Sequence, residues 1–170
     1  MSRGIVVARH DFPVIELAPM AVKLDQTVEE MIAGLRNNNP DITSAHFPHC
    51  RAGSTGQGEA RLLLAKPVHE REHFPMEDVL RRLAGARFVP EDLPQLALLK
   101  HHADELWAAG VCFVGSLGAS SVWQGPDGGY AVYVILNPED RGFHLHWLGG
   151  DWGGQTWFLV RREESVTSGV

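Results

Sequence analysis

Cysteine is nearly absent: Cys50 and Cys112 are the two in 170 residues. That excludes a disulfide scaffold and points to reduced thiols in a cytoplasmic protein. Basic charge is also scarce. Lys and Arg number 15 against 21 Asp and Glu, giving a formal net charge of −6. A chain that neutralises phosphates or anionic lipid needs a basic face, so this balance argues against nucleic acid and against a charged membrane surface. No apolar run approaches the roughly 20 residues of a membrane span. The patch Ile5 to Ala8, closed by Arg9, His10 and Asp11, is too short for a signal-peptide core.

Several catalytic signatures are missing as well. Gly53-Ser54-Thr55-Gly56-Gln57-Gly58 leads into a predicted strand and has no Lys-Ser/Thr pair, whereas a phosphate loop opens a helix. Gly115 to Ser121 lies between two strand segments and reads as a bulge or break. There is no G-x-S-x-G elbow and no paired cysteine motif of a deaminase zinc site.

What remains is a chain with 44% hydrophobic residues, enough for the core of a single domain spanning 1–170. Residues 111–162 carry its strongest signal. Tyr130 to Asn137 is β-branched and aromatic between turn clusters, and both its faces are apolar, as in a central strand. Phe143-His144-Leu145-His146-Trp147 alternates, so His144 and His146 share one face, and Phe143, Leu145 and Trp147 the other. A hairpin through 149–154 would oppose Phe143 to Val160, Leu145 to Phe158 and Trp147 to Thr156. Phe143, Leu145, Phe158 and Val160 would then lie together, with Trp157 and Leu159 on the histidine face. Val111 to Val114 and Ser121 to Gln124 read as one more strand interrupted at GSLGAS.

Upstream, residues 1–90 mix short strands, helices and loop. Ile5 to Ala8, Val14 to Leu17 and Arg61 to Val68 are predicted strands. Thr27 and Glu30 make a capping box for a helix stopped at Asn37-Asn38-Asn39-Pro40. A second helix runs from Pro75 to Gly85, and residues 41–58 form a loop. A third helix covers 91–109, with Leu96, Leu99, Ala103, Leu106 and Trp107 inward and Lys100, His101, Asp104 and Glu105 toward water. Residues 163–170 read as a flexible tail. The fold class is α+β: a C-terminal antiparallel meander of about four to five strands, covered on one face by two or three helices.

Val14-Ile15, the EEMIAGL of 29–35, Asp41-Ile42-Thr43 before His46-Phe47-Pro48, Val122-Trp123-Gln124, Trp147 to Trp152 and Trp157 to Arg162 together resemble a group of bacterial hypothetical proteins with no assigned activity. The resemblance implies a bacterial origin and carries over no functional residues.

Nine histidines raise the question of a metal. His69-Glu70-Arg71-Glu72-His73 matches H-E-x-x-H, which on a helix aims two imidazoles at zinc. Pro67 and Pro75 leave barely one turn for that helix, so a solvated turn is the expectation. His144 and His146 stand at a strand spacing that suits one zinc or iron, as in cupin-like sites, with His46, His49, His101, His102 or a carboxylate as third ligand. His46-Phe47-Pro48-His49-Cys50 lacks the second ligand pair of a structural zinc site. Trp152, between glycine pairs at a predicted hairpin tip, is placed as an exposed binding residue, with Trp123 and Trp157 as further candidates. With no catalytic constellation in a supportive context, a non-catalytic module binding a protein or small molecule leads. It needs no cofactor. A metal-dependent hydrolase or oxygenase using His144 and His146 is the alternative.

Overall fold

The computed structural model describes residues 6–8, 13–23, 26–34, 36–37, 42–47, 57–67 and 72–164. His49, Cys50 and His69, and most of the 41–58 segment, lie outside them. The first half contains β1 (Val6–Ala8), β2 (Val14–Glu16), β3 (Met20–Lys23), α1 (Val28–Ile32), β4 (Arg36–Asn37), β5 (Gln57–Ala60), β6 (Leu63–Ala65) and β7 (His73–Phe74). There follow α2 (Met76–Gly85), β8 (Phe88–Pro90), α3 (Leu93–Ala97), a 3-10 turn (Leu98–His101) and α4 (Ala103–Ala108). The sheet region holds β9 (Phe113–Gly115), β10 (Val122–Gly125), β11 (Gly128–Ile135), β12 (Gly142–Trp147), β13 (Trp152–Gly153) and β14 (Thr156–Arg162).

The α+β class holds, but the sheet is larger than four or five strands. Ten strands run in the order β1-β2-β6-β14-β9-β11-β12-β4, with β10 also on β11 and β8 also on β14. Most pairs are antiparallel; β14 with β9 and β12 with β4 are parallel. As the glycines of GSLGAS imply, β9 and β10 pair with successive stretches of β11, on either side of a break at 116–121.

The expected hairpin between 143–147 and 156–162 does not form. β12 pairs with β11, matching Tyr133 to His144 and Val132 to Leu145. β14 lies several strands away, flanked by β6, β8 and β9. Residues 156–160 are buried without alternation, the pattern of a central strand with two covered faces. Such a strand gives no pattern to set its register, so a distant partner could win over the nearest one.

The faces sort accordingly. Phe143, Val132, Val134, Ile15, Leu64, Trp157 and Leu159 share one core, and Leu145 packs against it. Phe158, Val160, Ala131, Val14, Leu63 and Trp152 share the other, with Tyr133 against it. Phe158 and Val160 are thus on the opposite side from Phe143, and Trp157 and Leu159 are not on the histidine face. Helices cover both faces rather than one. α1, α3 and α4 supply Met31, Leu93, Leu96 and Leu106 to the first core; α2 supplies Val79 and Leu83 to the second.

The helix termini follow local chemistry. Thr27 and Glu30 form the reciprocal cap, at 3.2 Å for Glu30 N–H to Thr27 Oγ1 and 2.9 Å for Thr27 N–H to Glu30 Oε2. α1 stops at Ile32, short of the asparagines, and Lys100 Nζ donates to the carbonyls of Met31 (2.8 Å) and Ala33 (2.7 Å) at its end. Lys100 is therefore half-buried rather than facing water, and burial lowers its pKa. The helix expected over 91–109 is broken by the 3-10 turn and His102. Leu96, Leu99, Ala103 and Leu106 still point inward, but the rotation left by the break puts Trp107 at 39% exposure. No helix among the described residues is long and apolar enough to cross a membrane.

Candidate functional site

A row of five rings runs across the second face of the sheet. The register that opposes Tyr133 to His144 stacks their rings, centroids 5.3 Å apart at 27°. Two residues along β12, His146 meets the same tyrosine edge-on at 6.2 Å. On its other side His146 lies 4.1 Å from Trp152, and Trp152 meets Phe158 edge-on at 5.2 Å. Offset and T-shaped contacts suit the ring quadrupole and hold each side chain in one orientation.

Trp152 reaches this row because its backbone does not stay in a hairpin tip. Trp152 and Gly153 pair with Phe74 and His73, and Gly154 N–H donates to the Glu72 carbonyl at 2.7 Å. That small second sheet folds the strip 72–74 and 152–154 over the ring row. Gly115 makes room beneath it: a Cβ there would stand 3.1 Å from both the Trp152 and Phe158 rings. Trp152 is 3% exposed, so the expectation of an exposed binding tryptophan is overturned. Glycines on both sides of a tryptophan allow a tip, but they equally allow the chain to tuck the indole inward. The exposed indole in this region is Trp147 at 49%, its Nε1 3.3 Å from the Asp127 carbonyl.

Between the strip and the sheet lies a cavity of about 480 Å3. Phe113, Tyr133, His146 and Trp152 line its body, Gln155 and Thr156 one side, and Glu72 and His73 another. Three polar atoms in the ring row are buried without a hydrogen-bond partner: Trp152 Nε1, His146 Nε2 and His144 Nε2. Leaving such atoms unpaired costs about 1–3 kcal/mol each, so their persistence calls for a reason. Burial lowers the His146 pKa, with backbone groups of Gly150 and Asp151 pulling the other way. Burial also raises the Tyr133 pKa. At neutral pH the cavity therefore holds an uncharged imidazole and a phenol that keeps its proton.

The residues singled out in the sequence are only partly brought together. His144 and His146 do share a face, and His146 and His73 both line the cavity. His73 sits on a two-residue strand before α2, not on the helix that H-E-x-x-H requires. Trp157 is buried in the opposite core, 5.6 Å from Lys66 Nζ. Trp123 packs half-buried between His46 (4.8 Å) and Tyr130 (5.3 Å). His46 Nδ1 is engaged by Thr43 Oγ1 at 3.0 Å. His101 is exposed, and both ring nitrogens of His102 are buried without a hydrogen bond, Nδ1 being 3.8 Å from Glu105 Oε2. Among the described residues, no three His, Cys, Asp or Glu side chains converge as a ligand set.

Tyr133, Phe113 and Thr156 went unnoticed in the sequence as site residues. The one signal for Tyr133 was its place on the Ala131–Ile135 face, opposite the two histidines once β11 and β12 pair. No family model matches the chain, and comparison with curated proteins and with solved structures finds no significant match.

Proposed function

We propose that this protein is a non-catalytic binding domain that takes a small molecule into the cavity between the ring row and the 72–74/152–154 strip. One observation carries the reading. A cavity of ligand size, about 480 Å3, is lined by the rings of Phe113, Tyr133, His146 and Trp152. The described residues around it offer stacking surfaces and hydrogen-bonding groups.

The test blocks the entrance without touching the core. Gln155 lines the cavity yet is exposed, so Gln155→Trp should fold normally and occlude the space. A fragment library screened by protein-observed NMR should yield compounds that shift cavity resonances in the parent protein and not in the variant. Binding that survives occlusion, or a screen with no cavity hits, refutes the reading.

His144 and His146 support a second reading, a metal-dependent hydrolase or oxygenase with zinc or iron. What favours it is that the Nε2 atoms of two same-face histidines are both buried and unpartnered. It requires stoichiometric metal in untagged protein, lost in the double variant His144→Phe/His146→Phe. Metal-free protein with an intact fold would dispose of it.

A further inference from the structure

Resting on the small-molecule reading, we infer that the cavity takes an organic cation, an alkylated ammonium that carries an apolar ring or chain. Two rings on the wall are open to such a guest. Phe113 and Tyr133 both line the cavity and are half-buried. The backbone of each is paired on both sides, Phe113 with Ile135 and Thr156, Tyr133 with His144 and Gly115. The exposed part of each residue is therefore its side chain. The Phe113–Ile135 pairing also sets Phe113 on the Tyr133 face of the sheet. Tyr133 is held in place by His144 at 5.3 Å and His146 at 6.2 Å between centroids, so a guest meets a preset surface.

Charge narrows the class. Among the described residues, the lining contains no Lys or Arg, and its one carboxylate is Glu72. The Glu72 carbonyl accepts the Gly154 N–H at 2.7 Å, which fixes residue 72 at the side of the cavity, and Glu72 is exposed. Burial keeps the His146 imidazole uncharged, so the half-buried ring adds surface without repelling a cation. An anion meets Glu72 with no positive side chain in the lining to offset it. A neutral compound can stack on the same walls but gains little from the negative ring faces or the carboxylate. A cation gains from both, and the net charge of −6 favours its approach. At about 480 Å3 the cavity exceeds one ammonium headgroup and leaves room for an apolar part.

Three probes share a benzyl group and differ in charge: benzyltrimethylammonium, a cation; N-benzylacetamide, neutral; and phenylacetate, an anion. Each is titrated into 15N-labelled full-length protein at pH 8, above the ordinary imidazole pKa, following the assigned Gly153, Gly154 and Gln155 amides. Benzyltrimethylammonium should shift them with a Kd about ten-fold below those of the other two. Glu72→Gln, at an exposed position, should raise that Kd about two- to five-fold and leave N-benzylacetamide unchanged. Phe113→Leu, which removes the ring and keeps an apolar wall, should raise it by about the same factor. The assigned class is overturned if N-benzylacetamide or phenylacetate binds there as tightly as the cation, or if neither variant weakens the cation. It is equally overturned if no probe shifts these amides while the fragment screen finds cavity hits. In all three cases the small-molecule reading survives. If the probes and the fragment screen are both silent, the two fall together.

Discussion

Removing the Trp152 side chain separates a surface anchor from a structural one. An exposed indole at a loop tip contributes little to folding, and its loss should stay within about 0.5 kcal/mol. Here the ring is 3% exposed, wedged between His146 at 4.1 Å and Phe158 at 5.2 Å. Truncating a core Trp to Ala costs roughly 3–5 kcal/mol, and each aromatic contact accounts for about 0.5–1.5 kcal/mol beyond area. Trp152→Ala should fall near the lower end, about 3 kcal/mol, because the vacated space opens into a cavity that water can enter. Trp152→Phe keeps a ring against both neighbours and deletes an unsatisfied donor worth about 1–3 kcal/mol, so it should be nearly neutral. Urea denaturation followed by far-UV circular dichroism measures both variants. For a chain of this size, 3 kcal/mol corresponds to a fall in Tm of roughly 6–12 °C. If Trp152→Ala unfolds within 0.5 kcal/mol of the parent protein, the indole is not packed as described and the cavity loses its wall.

Three other outcomes follow from local geometry. Gly118 has an ordinary extended backbone, φ −60° and ψ 145°, but a Cβ there would lie 2.1 Å from Asp92 Oδ1 and 2.8 Å from the Glu91 carbonyl; Gly118→Ala should therefore destabilise by about 1–3 kcal/mol through overpacking alone, measured by the same denaturation. Arg87, just past α2, has φ 61°, so Arg87→Gly should relieve left-handed strain and raise stability by about 0.5–1 kcal/mol in a thermal melt. The His146 pKa is lowered from its ordinary 6.5, chiefly by burial, so the unfolded chain takes up that proton first on acidification. Stability should be unaffected above the unfolded value and fall as pH drops through about 6.5 toward the folded value. His101, also lowered by burial, adds in the same direction, and His146→Phe should flatten, without abolishing, the slope of unfolding free energy between pH 7 and 5.

Local chemistry alone determined several parts of this protein. The Thr27/Glu30 cap and the Pro75 start of α2 depend on neighbours a turn away, so they could be read directly and appear as expected. The alternation of β12 placed His144 and His146 together, and the GSLGAS glycines marked where β9 gives way to β10. The tertiary structure decided the rest. β14 is apolar on both sides, so no pattern in it could tell β12 from β6, β8 and β9 as partners; the sheet settled that by which arrangement covers both faces. Trp152 lies between glycines that permit either a tip or a tuck, and it is the pairing with Phe74, remote in sequence, that turns it inward and brings Glu72 and His73 to the side of the cavity. A pocket made by two distant segments closing over a sheet has no local signature, because neither segment carries the shape of the other.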